Sequence, residues 1–254
     1  MDEDRTPEPG VFIVEGMKIR IPSLTLSFDH EGRLVSGPLE LQTGLDQTPV
    51  WLEIAFEHAC TSQIASLELA KAVDDGRNEE IGQSLVSEMK AGMQAISCSC
   101  TAVDAFHANV KELISIPEKT KAAWKQNGTA RYRQISEVLR LAFPMSNRRA
   151  AYIRQALRQN FTWRDQATHP SSTTLQPAVH ETLNKATDRR FVLFRHYNAR
   201  EIARLSFNIV YWASQNPPTS KFKDLREYCN TLKGRLQGLG GAWDERFGAQ
   251  ETAG

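Results

Sequence analysis

The segment from Arg164 to His169 holds the residue types that chemistry on a phosphodiester requires. It reads Arg-Asp-Gln-Ala-Thr-His and is followed by Pro170. Arg164 supplies a permanent, forked cation that suits phosphate oxygens. His169 supplies a proton donor and acceptor near neutral pH, and Asp165 can hydrogen-bond to either of them. Together these groups could cleave RNA without a metal ion.

The proline after His169 decides whether the two side chains can face one pocket. Residues five positions apart on a continuous α-helix point about 140° apart around the axis. Pro170 disfavours the α conformation at His169. We therefore expect the helix to end at about Thr168, with Arg164 on its last turn and His169 on a non-helical backbone that turns toward the same pocket.

The rest of the chain predicts a mainly α protein. From Trp51 onward, apolar residues recur three and four positions apart, which is the spacing of a buried helix face. Asp74-Asp75-Gly76 and Asn127-Gly128 interrupt this spacing. We expect helices from Pro49 to about 74, from Glu79 (capped by Asn78) to about Ile114, from a capping box at 115–118, and over about 129–142, 146–168, 187–215 and 220–238.

The regions outside the helical part are expected to be small. Residues 1–10 are predicted to be a disordered tail and 241–254 a flexible C-terminal tail. Residues 11–46 are predicted to form a small antiparallel β element packed on a helical domain at 47–240. The expected strands lie within three runs, Val11–Val14, Leu24–Phe28 and Leu34–Leu41, with a turn at 29–32. The polar stretch from Pro170 to His180 is predicted to be a loop.

Charge is distributed unevenly along a chain whose net charge is +1. Residues 117–164 hold 11 basic and 2 acidic side chains. This segment could bind a polyanion, or its positive charge could complement the acidic N-terminal part of the chain, either within one molecule or across a dimer. The 4 cysteines have no zinc spacing. No run of residues predicts a signal peptide or a membrane span, so we expect a cytoplasmic protein with no metal and no cofactor.

The pattern Arg, then Asp, then three variable residues and His, in a helical context, resembles the HEPN (higher eukaryotes and prokaryotes nucleotide-binding) domain family. The resemblance implies an up-and-down helical bundle and a metal-independent endoribonuclease, of toxin or phage-defence character. It implies that His169 acts as acid or base, that Arg164 stabilises the five-coordinate phosphate, and that Asp165 positions one of them. It also implies a homodimer, an RNA substrate and a cognate antitoxin or defence-system partner.

Other residues are expected to assist this site. His180, Arg190 and His196 are candidates for auxiliary groups in the same pocket. Four arginines before the motif are candidates for RNA binding: Arg148, Arg149, Arg154 and Arg158. The alternative function is a non-catalytic dimeric helical module that binds a nucleotide, RNA or an acidic protein partner.

Overall fold

A computed structural model describes residues 11–37, 40–169, 176–218 and 222–248, and in these the chain is mainly helical with small antiparallel strand pairs. The predicted tail at 1–10 lies outside the described residues. In chain order the elements are β1 (Met17–Arg20), β2 (Leu26–Phe28), β3 (Leu34–Ser36), β4 (Gln42–Leu45), α1 (Thr48–Asp74), α2 (Asn78–Leu113), α3 (Glu118–Gln126), α4 (Arg131–Ala142), α5 (Asn147–Thr168), β5 (Ala178–His180), β6 (Lys185–Thr187), α6 (Arg189–Leu193), α7 (His196–Gln215) and α8 (Lys223–Phe247). The chain divides into two compact units, Met1–Gln47 and Thr48–Gly254.

The N-terminal unit consists of two separate antiparallel strand pairs. β1 pairs with β4, and β2 pairs with β3. The turn between β2 and β3 forms where the sequence predicts it, because the Asp29 carboxylate accepts hydrogen bonds from the backbone N–H groups of Glu31 and Arg33. Gly32 completes this turn with φ of +76°, a conformation that glycine adopts without steric cost.

The strand prediction for the N-terminal unit was partly wrong. Val11–Val14 contains no strand, and the third run is a strand only from Leu34 to Ser36. β1 and β4 were not predicted. They pair across more than twenty residues of intervening chain, and a pairing of that kind is set by long-range contacts that local composition does not reveal.

The helical unit is organised around α1 and α2. Gly76, with φ of +69°, forms the turn between them, and α1 ends at Asp74 as predicted. Small buried residues, among them Ala59, Ala95 and Ala102, allow close packing of the helices. Ser62 of α1 donates a hydrogen bond to the backbone carbonyl of Glu88 in α2. None of the helices in the described parts of the chain is long and apolar enough to cross a membrane.

Helix starts differ from the predictions at two places. α2 begins at Asn78 itself, with Arg77 at the N-cap and no side-chain cap hydrogen bond. α3 begins at Glu118 with Pro117 at the N-cap, so the predicted capping box from Ser115 does not form. Pro117 disfavours the α conformation at Ile116, the residue before it. The helix therefore starts after the proline, at Glu118, and not after Ser115.

The region after α5 contains more breaks than the sequence predicts. The predicted loop ends in a β-hairpin, β5 paired with β6, which includes His180. The helix expected over 187–215 is divided into α6 and α7, with a break at Phe194 and Arg195. The C-terminal tail prediction was also wrong for residues 241–247, because α8 continues to Phe247 and buries Trp243.

The start of α5 can be tested at its N-cap residue, Ser146. The Ser146 hydroxyl accepts a hydrogen bond from the backbone N–H of Arg149. Because this N–H has no partner within the helix, we expect Ser146→Ala to lower the free energy of unfolding by about 1 kcal/mol in urea titrations. Ser87→Ala, at an exposed position inside α2, is the matched control and is expected to be neutral or slightly stabilising. Equal losses in both variants would contradict the cap.

Candidate functional site

The end of α5 confirms the local prediction for the Arg164–His169 motif. The helix ends at Thr168, and His169 is the C-cap residue with extended backbone angles of −107° and 96°. Its backbone N–H still donates to the carbonyl of Asp165 at 3.0 Å, which fixes the direction in which the chain leaves the helix. The imidazole of His169 is exposed. It therefore stands at the surface at the end of α5.

Arg164 is held by carboxylates. Its guanidinium donates to Asp165 Oδ1 at 2.6 Å and lies 3.7 Å from Asp104 Oδ2 of α2. It also stacks over the ring of Phe161 at 4.6 Å. Asp104 receives a second cation, because Arg131 Nε donates to its Oδ1 at 2.6 Å. Within the described residues, no hydrogen bond or ion pair joins Arg164 to His169, so the contacts of Arg164 orient its guanidinium independently of the imidazole.

The arginines expected to bind RNA lie on the surface of α5. Arg148, Arg149, Arg154 and Arg158 are all exposed. Arg154 also lines a groove between α4 and α5, and two arginines of α4 lie across it, Arg133 and Arg140. This side of the two helices therefore carries a concentrated positive charge with Glu137 as the acidic residue in the groove.

Two of the three auxiliary residues meet at a carboxylate that sequence reasoning missed. Glu88 of α2 is 1% exposed. Its Oε1 accepts hydrogen bonds from the backbone N–H of His196 at 2.8 Å and from His196 Nδ1 at 2.9 Å. His180 Nε2 lies 3.8 Å from Glu88 Oε2. The third auxiliary candidate, Arg190, is not part of this cluster and instead hydrogen-bonds to Asp188.

The break between α6 and α7 is what allows Glu88 to reach His196. Phe194 packs directly on α2, where a Cβ on Gly92 would lie 1.8 Å from the Phe194 carbonyl oxygen. The chain then restarts as a helix at His196, and the Glu88 carboxylate accepts the N–H of that first residue. A carboxylate at a helix N-terminus is favourable because it satisfies a free backbone donor and faces the positive end of the helix dipole.

The Glu88–His196 pair has the geometry of an oriented acid–base group. Nδ1 of His196 faces the buried carboxylate, and the side chain remains 34% exposed. A carboxylate that accepts the Nδ1 proton fixes the tautomer and leaves Nε2 to exchange protons with a substrate. His180 differs, because burial lowers its pKa and neither ring nitrogen has a hydrogen-bond partner in the described chain. We therefore expect His180 to be neutral at neutral pH.

One sequence signal could have identified Glu88. It is the only acidic residue between Glu80 and Asp104, in a stretch of α2 that is otherwise apolar, small or neutral apart from Lys90. A charged residue in such a stretch is buried at a cost unless it is paired. The partners themselves could not be found in this way, because they lie 108 positions away at His196 and on the β5–β6 hairpin.

A hydrophobic cluster connects the end of α5 with the start of α7. Trp163 and Ala167 of α5 pack against a buried group formed by Ile96, Phe194 and Ile202. Ala167 precedes His169 by two residues, and Phe194 precedes His196 by two residues. His169 follows the C-terminal end of α5 and His196 begins α7, and the chain segments before both histidines pack in the same cluster.

A second buried histidine, His107 of α2, gives a test of pH dependence. It is 1% exposed, and burial, with Arg131 and Lys111 nearby, lowers its pKa to about 3. Since its unfolded pKa is about 6.5, the unfolded state binds more protons between these values. We expect the free energy of unfolding to fall by up to about 1.4 kcal/mol per pH unit as pH drops below 6.5.

The control for this prediction is His107→Leu. The imidazole nitrogens have no hydrogen-bond partner within the described residues, so an apolar residue removes the titration without breaking a bond. Urea titrations between pH 7 and pH 4 are expected to show a smaller loss of stability in the variant than in the wild type. Parallel curves would contradict the assignment of this pH dependence to His107.

Comparison of the chain with protein-family models, curated proteins and solved structures finds no match to any of them. In the described residues there is also no group of three or more His, Cys, Asp or Glu side chains arranged to hold a metal ion.

Proposed function

We propose that this protein is a metal-independent endoribonuclease of the HEPN type, with its site at the C-terminal end of α5. The observation that carries the proposal is the end of α5 at Thr168, which leaves Arg164 on the last helical turn and an exposed His169 directly after the helix. An imidazole that transfers a proton and a guanidinium that faces the phosphate can both promote RNA transesterification.

The chemistry follows from the roles open to each group. His169 takes the proton of the ribose 2′-hydroxyl, and the 2′-oxygen attacks the adjacent phosphorus. Arg164 stabilises the charge on the five-coordinate phosphate. The bond from phosphorus to the 5′-oxygen breaks, and that oxygen takes a proton from water. The products are a 2′,3′-cyclic phosphate and a 5′-hydroxyl end.

The surroundings of these groups support the roles. Asp165 and Asp104 hold the Arg164 guanidinium in a fixed direction. The exposed arginines of α5 and the groove shared with α4 supply a surface on which the RNA backbone can lie.

The test is incubation of the purified full-length protein with single-stranded and structured RNA in excess EDTA. We expect cleavage and products that carry 2′,3′-cyclic phosphate and 5′-hydroxyl ends. Binding without cleavage would overturn the ribonuclease proposal and support the non-catalytic module. Sedimentation of the protein alone, alongside the assay, measures whether two copies associate as the family resemblance implies.

A further inference from the structure

A groove between α5 and α7 has a lining suited to a flat, hydrogen-bonding ligand. Its volume is about 300 Å³, at the lower end of the volumes of small-molecule sites. Aromatic rings and side-chain amides make up much of its wall, from Tyr152, Gln159, Asn160 and Trp163 on α5 and Tyr197 and Asn198 on α7. Rings offer faces for stacking, and amides offer both donors and acceptors.

The side chain of Asn160 has a hydrogen-bond acceptor that the protein does not use. Asn160 is 1% exposed, and its Nδ2 donates to Ser206 Oγ of α7 at 3.1 Å. Its Oδ1 is buried with no hydrogen-bond partner in the described chain. An unpaired buried acceptor costs free energy, so a ligand N–H that reaches the wall of the groove would be stabilised there.

The rim of the groove carries exposed aromatic rings and arginines. Tyr152 is 62% exposed and Tyr197 is 47% exposed. The guanidinium of Arg200 lies over the Tyr197 ring at 5.2 Å. Arg148 is exposed and lies one helical turn before Tyr152, so it is on the same face of α5. Cations beside exposed rings match the phosphates and bases of a nucleotide.

We propose that the α5–α7 groove binds bases of a single strand, one stacked on Tyr152 with its phosphate toward Arg148 and another stacked on Tyr197, both hydrogen-bonded through the amides. This deepens the proposed function, because Trp163 in the wall of the groove directly precedes Arg164, and the groove would hold bases of the RNA substrate. The base could also belong to a free nucleotide, since the recognised chemistry is the same.

The test measures binding separately from cleavage. The probe is a labelled single-stranded 2′-O-methyl RNA, which lacks the nucleophilic hydroxyl and stays intact, and binding is measured by fluorescence anisotropy at fixed salt. We expect Tyr152→Ala and Tyr197→Ala each to raise Kd by about 5- to 150-fold, the range for loss of one stacked base. Tyr152→Phe and Tyr197→Phe keep the ring and are expected to bind like the wild type.

Three controls define the result. Phe28→Ala removes an exposed ring from the N-terminal unit and is expected to leave Kd unchanged. An abasic oligomer of the same length is expected to bind more weakly than the base-containing one and to be insensitive to the tyrosine variants. Free mononucleotides form the last arm: saturable binding that depends on the tyrosines identifies a free nucleotide as the ligand, and its absence identifies RNA.

Two outcomes would overturn the proposal. The first is equal binding of the base-containing oligomer by the wild type and the tyrosine variants. The second is a change in sedimentation without a change in Kd, which would make the groove a self-association surface. Failure of the ribonuclease proposal is separate, since it appears as absence of cleavage in EDTA while binding to 2′-O-methyl RNA keeps its dependence on the tyrosines.

Discussion

Replacing His169 with alanine is expected to slow RNA cleavage by about 10²–10⁴-fold, the usual contribution of a positioned acid or base. The loss should appear in the rate of the chemical step, because in the proposed mechanism the imidazole transfers the proton while the arginines of α5 bind the RNA. His169 is exposed and lies beyond the last helical residue, so the fold is expected to persist. Single-turnover cleavage in EDTA measures the effect.

The matched control is His30→Ala. His30 lies in the N-terminal unit with a side chain that is 90% exposed, and its removal is expected to leave the rate unchanged. Since all variants are purified in the same way, a contaminating ribonuclease would give the same rate in each of them. Cleavage by His169→Ala at the wild-type rate would refute a role for this imidazole.

Arg164→Lys separates charge from geometry in the same assay. Lysine keeps the positive charge near Asp104 and Asp165 but loses the forked donor that can bind two phosphate oxygens. We expect slower cleavage with stability close to that of the wild type. A thermal melt of the same preparation shows whether a loss of rate comes from catalysis or from unfolding.

Replacing Gly92 with alanine is expected to destabilise the protein by about 3 kcal/mol, because the new methyl group meets backbone rather than a movable side chain. A Cβ at this position would lie 1.8 Å from the carbonyl oxygen of Phe194 and 2.8 Å from its carbonyl carbon. Either α2 or the break between α6 and α7 must move. Such a movement would separate Glu88 from His196, two residues beyond Phe194.

Gly82→Ala on the same helix is the control for Gly92→Ala. Nothing lies within 4 Å of a Cβ at Gly82, so alanine there is expected to stabilise α2 by about 0.5–1 kcal/mol through its higher helix propensity. Urea titrations of both variants give the two changes in the free energy of unfolding. Changes of the same sign would show that the close contact at Gly92 does not govern stability.

The sequence predicted the features of this protein that depend on neighbouring residues. Apolar spacing identified the helical part, Gly76 and the Asn127-Gly128 pair marked breaks between helices, and the position of Pro170 predicted that α5 ends at Thr168. These signals act through the conformation of one or two residues, so they can be read without knowledge of the fold. The same reasoning singled out His180 and His196 without showing what they contact.

Tertiary packing determined which residues come together around Glu88. Glu88 and His196 are 108 positions apart in the sequence. They meet because Phe194, which follows the last residue of α6, packs against α2 at Gly92, where there is no Cβ. The Asn160–Ser206 contact beside the α5–α7 groove has the same origin, since it joins two helices 46 positions apart. Helix periodicity shows which face of each helix is buried, but the partner across the interface depends on the order and angle in which the helices pack.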